Sequence, residues 1–222
     1  MVDFIQKDQY CFDDLCKLVA FLRSKDGCSW DQAQTHQSIR RNFLEEAYEA
    51  CEGLDRDDPE IMREEFGDVL LQVLFHTDIE RERGRFTIDD VCDRICKKLV
   101  YRHPHLFGGK AEDWEELKRR EKGAKTQSDL MDDVARSLPA LIRAEKLHEK
   151  AAKVDQLADD AAQAQTIRQS LAKLLEKADD EALGDLLLAA VGIAARREMD
   201  SESALHSACE RYIRRVKDAE TT

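Results

Sequence analysis

The chain has 222 residues, 37% of them charged, and a formal net charge of −12 at pH 7. This acidity argues against nucleic acid or an anionic membrane surface as a partner. No apolar run is long enough to cross a membrane. With only three prolines and nine glycines, and with abundant Leu, Ala, Glu and Lys, the composition predicts an all-α protein of one or two domains.

The seven cysteines form no CxxC pattern. Cys92 and Cys96 are four residues apart, but no Cys or His follows at zinc-site spacing, so both are predicted to be core residues. The odd number of cysteines and the absence of a signal-peptide pattern predict reduced thiols and a cytoplasmic location.

Four helices are predicted in the first half of the chain. They run from about Tyr10 to Arg23, from Thr35 or Ser38 to the Gly53–Asp58 region, from Pro59 to Gly84, and from Thr87 to His103. Pro59 suits the first position of a helix and Thr87 suits an N-cap. Residues 24–31 are predicted to be a loop. Four helices with short connections predict a four-helix bundle.

Two neighbouring helices carry paired carboxylates. Glu46 and Glu49 share one face of the second helix, and Glu65 and Asp68 share one face of the third. Residues 66–75 are almost wholly apolar, which predicts a helix buried on several sides. Its polar stripe consists of Glu65, Asp68, Gln72 and His76. Inward-facing carboxylates need a cation, so the pattern predicts a site for a hard divalent ion, Mg²⁺ first.

A solvated acidic face is the alternative interpretation of this pattern. In so charged a chain, Glu45, Glu46 and Glu49 alone are better explained as a wet helix face. The second pair, set in an apolar run, favours the metal site.

Two cations share a face near the end of the fourth helix. Lys98 and Arg102 are four residues apart and would suit the phosphates of an anionic substrate. The alternative is a favourable but idle interaction with the helix C-terminus.

The ordered segments resemble the MazG family of nucleoside triphosphate pyrophosphohydrolases. The resemblance rests on Gly27–Asp31, Leu44–Glu49, Glu65–Asp68, Gly84–Phe86 and Lys98–Gly108. The family pattern is EExxE, a spacer, then ExxD, and the spacer here, Ala50 to Glu64, has 15 residues. These segments cover roughly the first half of the chain, and Ser137–Leu141 resembles the linker of two-module members.

The resemblance implies an all-α homodimer that uses Mg²⁺ to cleave an NTP or dNTP between the α and β phosphates. The implied metal ligands are Glu46, Glu49, Glu65 and Asp68. Glu45 would orient or deprotonate the attacking water, Lys98 and Arg102 would bind phosphates, and Trp114 would contact the nucleotide. A hydrophobic anchor is the alternative for Trp114. Lys97 stands where the family usually has Asp or Asn, which would alter substrate preference, and Ser29 stands where proline is usual.

The second half repeats the first imperfectly, at an offset of 117 residues. Asp185 matches Asp68, but Ala182 stands where Glu65 is. We therefore predict a catalytic module at 1–122, a linker at 123–137 and a degenerate structural repeat at 138–222. The repeat is expected to bury its apolar side chains against its own helices or a partner chain: Leu186, Leu187, Leu188, Val191 and Ile193.

The sequence contains no Walker pattern and no activated Ser or Cys nucleophile. It therefore predicts a Mg²⁺-dependent nucleotide pyrophosphohydrolase. The alternative is a catalytically silent helical protein that binds nucleotides or other proteins. The complete carboxylate set in the first half favours the enzyme, while base and sugar preference are not predicted.

Overall fold

The structure is a computed structural model that describes residues 4–123, 126–152 and 159–220. Within these ranges the secondary structure is helical and no strand is present, which confirms the predicted all-α class. The chain divides into two compact units, Met1–Ala111 and Glu112–Thr222. None of the described helices is long and apolar enough to cross a membrane.

The first unit contains the four predicted helices. Its elements are α1 (Phe12–Leu22), α2 (Ser29–Ala33), α3 (Arg40–Arg56), α4 (Pro59–Glu82), α5 (Ile88–Arg102) and a short 3-10 helix (Pro104–Leu106). The short helix α2 lies in the segment that was predicted to be a loop, and it was missed because five residues are too few to show a helical period.

The ends of α4 and α5 follow from local capping. Asp58 accepts a hydrogen bond from the backbone N–H of Glu60 at 3.0 Å, and Pro59 occupies the first helical position. At the start of α5 the Thr87 hydroxyl and the Asp90 carboxylate accept each other's backbone N–H groups. Both helices therefore begin where the sequence predicted.

The core of the first unit surrounds the second half of α4. It consists of Val19, Ile39, Leu74, Phe75 and Ile79. The predicted burial of residues 66–75 is wrong for the start of that range, since Phe66 is 49% exposed. The buried stretch lies nearer the C-terminal end of α4 because α1 and the segment ahead of α3 pack there.

Helix α5 carries no buried residue. Cys92 and Cys96 are both exposed, so their prediction as core residues is wrong. The reason lies in the tertiary packing, because α5 packs chiefly against α4 and the 3-10 helix. This leaves the apolar side chains of Ile95 and Leu99 43% and 47% exposed. All seven cysteines are free thiols.

The second unit is a separate set of helices. They are α6 (Trp114–Lys122), α7 (Gln127–Asp132), α8 (Ala140–Ala151), α9 (Asp160–Glu176), α10 (Asp180–Arg196) and α11 (Ser201–Glu220). Helix α10 packs against both α9 and α8. One short helix was predicted in the polar stretch 108–137, and α7 is a second one there.

Small residues mediate the packing of α10. Gly192 is so close to α8 that a Cβ atom there would lie 2.7 Å from Cε1 of His148. Of the leucines and branched residues expected to be buried in this helix, Val191 is buried at 3% exposure, whereas Leu187 and Leu188 are 43% and 45% exposed. Burial against helices of its own unit is therefore wrong for these two leucines, because the buried residues of α10 are Ala182, Ala189, Val191 and Gly192. Their burial against a partner chain, the other expected alternative, stays a prediction.

Candidate metal centre

Three carboxylates from two helices meet in the first unit. Glu46 and Glu49 on α3 and Glu65 on α4 each offer an oxygen, and these oxygens all lie within 4.8 Å of one another. Asp68, one turn further along α4, is close enough for its charge to act on both Glu46 and Glu65. The structure thus brings together three of the four carboxylates that the helical spacing singled out, and the fourth, Asp68, acts on them through its charge.

A close approach of α3 and α4 positions this cluster. The two helices are joined by a short turn in which Asp57 adopts a left-handed conformation at φ 52°. Beside the turn, a Cβ atom on Gly53 would lie 3.0 Å from Cγ2 of Ile61 and 3.1 Å from the backbone nitrogen of Met62. Ala50 is buried one turn earlier, at 6% exposure. Small residues on α3 therefore allow the backbones to approach and their flanking carboxylates to meet.

The cluster is electrostatically strained without a cation. Desolvation raises the pKa of Glu46, and repulsion from Asp68 and Glu49 together with a hydrogen bond to Glu49 raises it further. Desolvation also raises the pKa of Glu65, followed by repulsion from Glu49 and Asp68. In the described part of the chain, no Lys or Arg forms an ion pair with any of these carboxylates. An all-oxygen donor set of this kind fits Mg²⁺ or a similar hard cation.

Glu45 is engaged elsewhere. Its Oε1 accepts a hydrogen bond from Nε of Arg41 at 2.7 Å, one turn earlier on the same helix. Both side chains are largely exposed. The predicted role of Glu45 toward an attacking water is not tested by this geometry and stays a prediction.

The predicted phosphate-binding cations lie on α5. Lys98 and Arg102 are both partly buried, and Lys98 forms no ion pair with a described residue. Its neighbour Lys97 is paired with Asp93 at 2.6 Å. Trp114 begins α6 in the second unit, outside the unit that holds the carboxylates.

The sequence did not predict a histidine pair between the segment ahead of α3 and helix α4. Nδ1 of His36 lies 2.8 Å from Nδ1 of His76, and Nε2 of His36 lies 2.7 Å from Oε1 of Glu80. Glu80 continues the polar stripe of α4 by one more helical turn, which was a signal in the sequence. Nothing local marks His36, because its partners are 40 and 44 residues away.

Comparison with known proteins assigns the chain to a family. The family model described as "MazG nucleotide pyrophosphohydrolase domain" matches residues 34–107. The chain is 39% identical over 218 residues to a Thermotoga maritima protein named nucleoside triphosphate pyrophosphohydrolase/pyrophosphatase MazG, covering 94% of this chain and 85% of the relative. The chain belongs to the MazG family. This confirms the resemblance found in its motifs.

Two further relatives extend the MazG assignment. A nucleoside triphosphate pyrophosphohydrolase of Escherichia coli K12 is 34% identical over 235 residues, which cover 94% of this chain and 86% of the relative. One from Mycolicibacterium smegmatis is 42% identical over 127 residues, 53% of this chain and 39% of the relative. The MazG match at 34–107 includes all of the clustered carboxylates and the two predicted phosphate-binding residues Lys98 and Arg102, and it ends before Trp114.

Proposed function

We propose that this MazG protein hydrolyses nucleoside triphosphates between the α and β phosphates, and that it holds Mg²⁺ through Glu46, Glu49, Glu65 and Asp68. Water is added across the anhydride bond, and the products are a nucleoside monophosphate and pyrophosphate. The observation that carries this proposal is the convergence of carboxylates from α3 and α4, which form no ion pair with a cationic side chain among the residues that the structure describes.

Hydrolysis of a phosphoanhydride needs negative charge to be offset and a water to be held in line with the leaving group. When bound, Mg²⁺ would offset charge on the phosphate oxygens. Glu45 lies on the same helix as two of the ligands, and its exposed carboxylate is free to rotate from Arg41 to accept a hydrogen bond from water. Lys98 and Arg102 supply charge-assisted hydrogen bonds to the phosphates.

We also propose that the protein works as a cytoplasmic homodimer. Ile95, Leu99 and Tyr101 on α5 are 43–47% exposed in the single chain, and contact with a second copy would remove this apolar surface from water. The free thiols suit a reducing compartment. Light scattering during size-exclusion chromatography measures the mass directly, and a monomer of 25.5 kDa would contradict the dimer.

The activity is tested by incubating the protein with a panel of NTPs and dNTPs, with Mg²⁺ or with a chelator, and identifying the products by ³¹P NMR. We expect nucleoside monophosphate and pyrophosphate, formed only with the metal. Nucleoside diphosphate and phosphate would contradict the proposed bond. Nucleotide binding without any product would favour the silent binding protein.

Two variants on α3 make this test specific. Glu49→Gln removes one proposed ligand, and we expect it to abolish Mg²⁺-dependent hydrolysis. Glu52→Gln is the matched control, because Glu52 lies on the same helix but pairs with Arg56. Equal activity in the two variants would contradict the ligand assignment.

A further inference from the structure

Three side chains form a hydrogen-bonded chain between the segment ahead of α3 and the buried half of α4. His36 contacts His76 through their Nδ1 atoms at 2.8 Å and contacts Glu80 through Nε2 at 2.7 Å. The two imidazole rings are within 17° of parallel, with their centroids 5.0 Å apart. The ring of Phe43 also packs against His76, with 5.7 Å between the ring centroids. The contact thus joins residues 34–39, the first turn of α3 and α4.

Glu80 is the hydrogen-bond acceptor at one end of this series of three side chains. Glu80 is 5% exposed, and its carboxylate also accepts hydrogen bonds from Arg83 at 2.8 Å and Arg85 at 3.3 Å. The hydrogen bond from His36 and the two guanidinium groups lower the pKa of Glu80, so it is ionised and only accepts. Nε2 of His36 must therefore carry the hydrogen.

The two Nδ1 atoms have room for a single hydrogen between them. Either neutral His76 donates from Nδ1 to neutral His36, or a protonated His36 donates to a neutral His76. If both rings were protonated, two N–H groups and two positive charges would face each other across 2.8 Å. The observed contact is incompatible with that state.

We propose that His36, His76 and Glu80 form a proton-operated clamp that holds the start of α3 on α4 and opens when both histidines are protonated. The clamp opens by loss of the hydrogen bond between the two Nδ1 atoms, so no covalent step is involved. It rests on the packing of α3 and α4 and holds whether or not the protein hydrolyses nucleotides.

The surroundings favour a neutral His76. The titratable group that acts on His76 is His36, and the ring of Phe43 that packs against His76 is uncharged. The charged groups that act on Glu80 are the guanidinium groups of Arg83 and Arg85. Burial and then repulsion from His36 lower the pKa of His76 below 6.5. As the pH falls through 6.5, His76 therefore binds more protons in the unfolded chain than in the folded protein. The clamp loses stability over the same fall in pH.

The consequence is local. Helix α3 begins at Arg40, and Phe43 in its first turn packs on the clamp. Opening the clamp frees this turn, while Glu46 and Glu49 follow within the next two turns. A falling pH is therefore expected to loosen α3 from the end nearest the clamp.

Imidazole ¹⁵N NMR of the full chain tests the clamp in the wild type. At pH 8 we expect His36 as the Nε2–H tautomer and His76 as the Nδ1–H tautomer, with His76 remaining neutral below pH 6.5. Two rings that are both Nε2–H at pH 8 and titrate independently would overturn the proposal. This measurement needs no variant, so it does not depend on a mutant folding.

Hydrogen exchange tests the opening. The N–H groups of Ile39 and Phe43 donate to the carbonyl oxygens of Thr35 and Ile39. Corrected for intrinsic exchange, the protection of these two amides in the wild type should fall about tenfold per unit of pH once the pH is low enough for the clamp to open. His76→Phe keeps the ring contact with Phe43 but cannot share the proton, so this pH dependence should disappear. His206→Phe, at an exposed position on α11, is the control and should keep it. An unchanged pH dependence in His76→Phe would overturn the clamp.

Discussion

The guanidinium of Arg23 stacks on the ring of Phe75, with 4.9 Å between its Cζ and the ring centroid. The same side chain pairs with Glu82 at 2.8 Å and with Asp78 at 3.4 Å, and it donates to the carbonyl oxygen of Asp31 at 2.6 Å. Arg23 is only 5% exposed. The residue that follows α1 is therefore tied to the buried half of α4, the helix that carries two of the proposed metal ligands.

Replacing Arg23 should be costly for stability. Arg23→Leu leaves the buried Asp78 without one of its two cations, so we expect urea unfolding to give a free energy lower by about 3 kcal/mol. Arg63→Leu is the control, because its pair with Glu60 is about three-quarters exposed and should contribute less than about 1 kcal/mol. A similar loss in both variants would contradict the structural role of Arg23.

Local rules explain why much of this fold was predictable. Asp58 and Pro59 set the start of α4 with contacts inside one turn, and Thr87 does the same for α5. The carboxylate cluster was predictable for a similar reason. The spacing of Glu46 and Glu49 places them on one face of a helix whatever the rest of the chain does.

Features that depend on distant packing were not predictable. His36 and Glu80 are 44 residues apart, so no local pattern could reveal their hydrogen bond. The exposure of Cys92 and Cys96 depends on what covers α5, and an apolar helical face looks the same in sequence whether its own chain or a second copy covers it.

Gly53 should be essential to the approach of α3 and α4. Gly53→Leu would place side-chain atoms against Ile61 and the backbone of Met62, so we expect a loss of about 1–3 kcal/mol in the free energy of unfolding. The control is Gly67→Ala on α4, where a Cβ atom meets nothing within 4 Å. That change should be neutral or stabilise the helix by up to about 1 kcal/mol. The reverse order of stabilities would contradict the close approach.

The carboxylate cluster should oppose folding when no metal is bound. The pKa values of Glu46 and Glu65 are raised above 4.5 in the folded protein, so the folded state binds more protons than the unfolded state. At pH 7 the ionised cluster therefore lowers the free energy of unfolding, and this loss is relieved as the pH falls through the raised pKa values of Glu46 and Glu65. Asp68→Asn should raise the Tm of the metal-free protein at pH 7, and this gain should shrink at lower pH.

The same variant should lose stabilisation by Mg²⁺. A ligand that binds only the folded state raises Tm with its concentration. We expect a Mg²⁺-dependent rise in the wild type and little or none in Asp68→Asn, measured by calorimetry at pH 7. An equal rise in both proteins would show that Mg²⁺ binds elsewhere.

Lys98 should matter for turnover and hardly for folding. One charge-assisted hydrogen bond contributes about 1.5–3 kcal/mol, so Lys98→Ala should lower kcat/KM about ten- to a hundredfold. Lys17→Ala is the control, since Lys17 is an exposed lysine of the same unit that lies on α1. If Lys98→Ala lowers the Tm and leaves kcat/KM unchanged, Lys98 only interacts with the C-terminus of α5 and does not bind phosphate.

The rate of pyrophosphate release from an NTP with Mg²⁺, measured in parallel for the wild type, Asp68→Asn and Asp185→Asn, tests the central claim most directly. Asp185 is the exposed residue of α10 that matches Asp68 in the predicted repeat, but Ala182 replaces the glutamate beside it. We predict that Asp68→Asn lowers the rate by at least about a hundredfold, the scale of losing one charge-stabilising group, and that Asp185→Asn stays near wild type. Equal losses in the two variants would contradict a metal centre confined to the first unit.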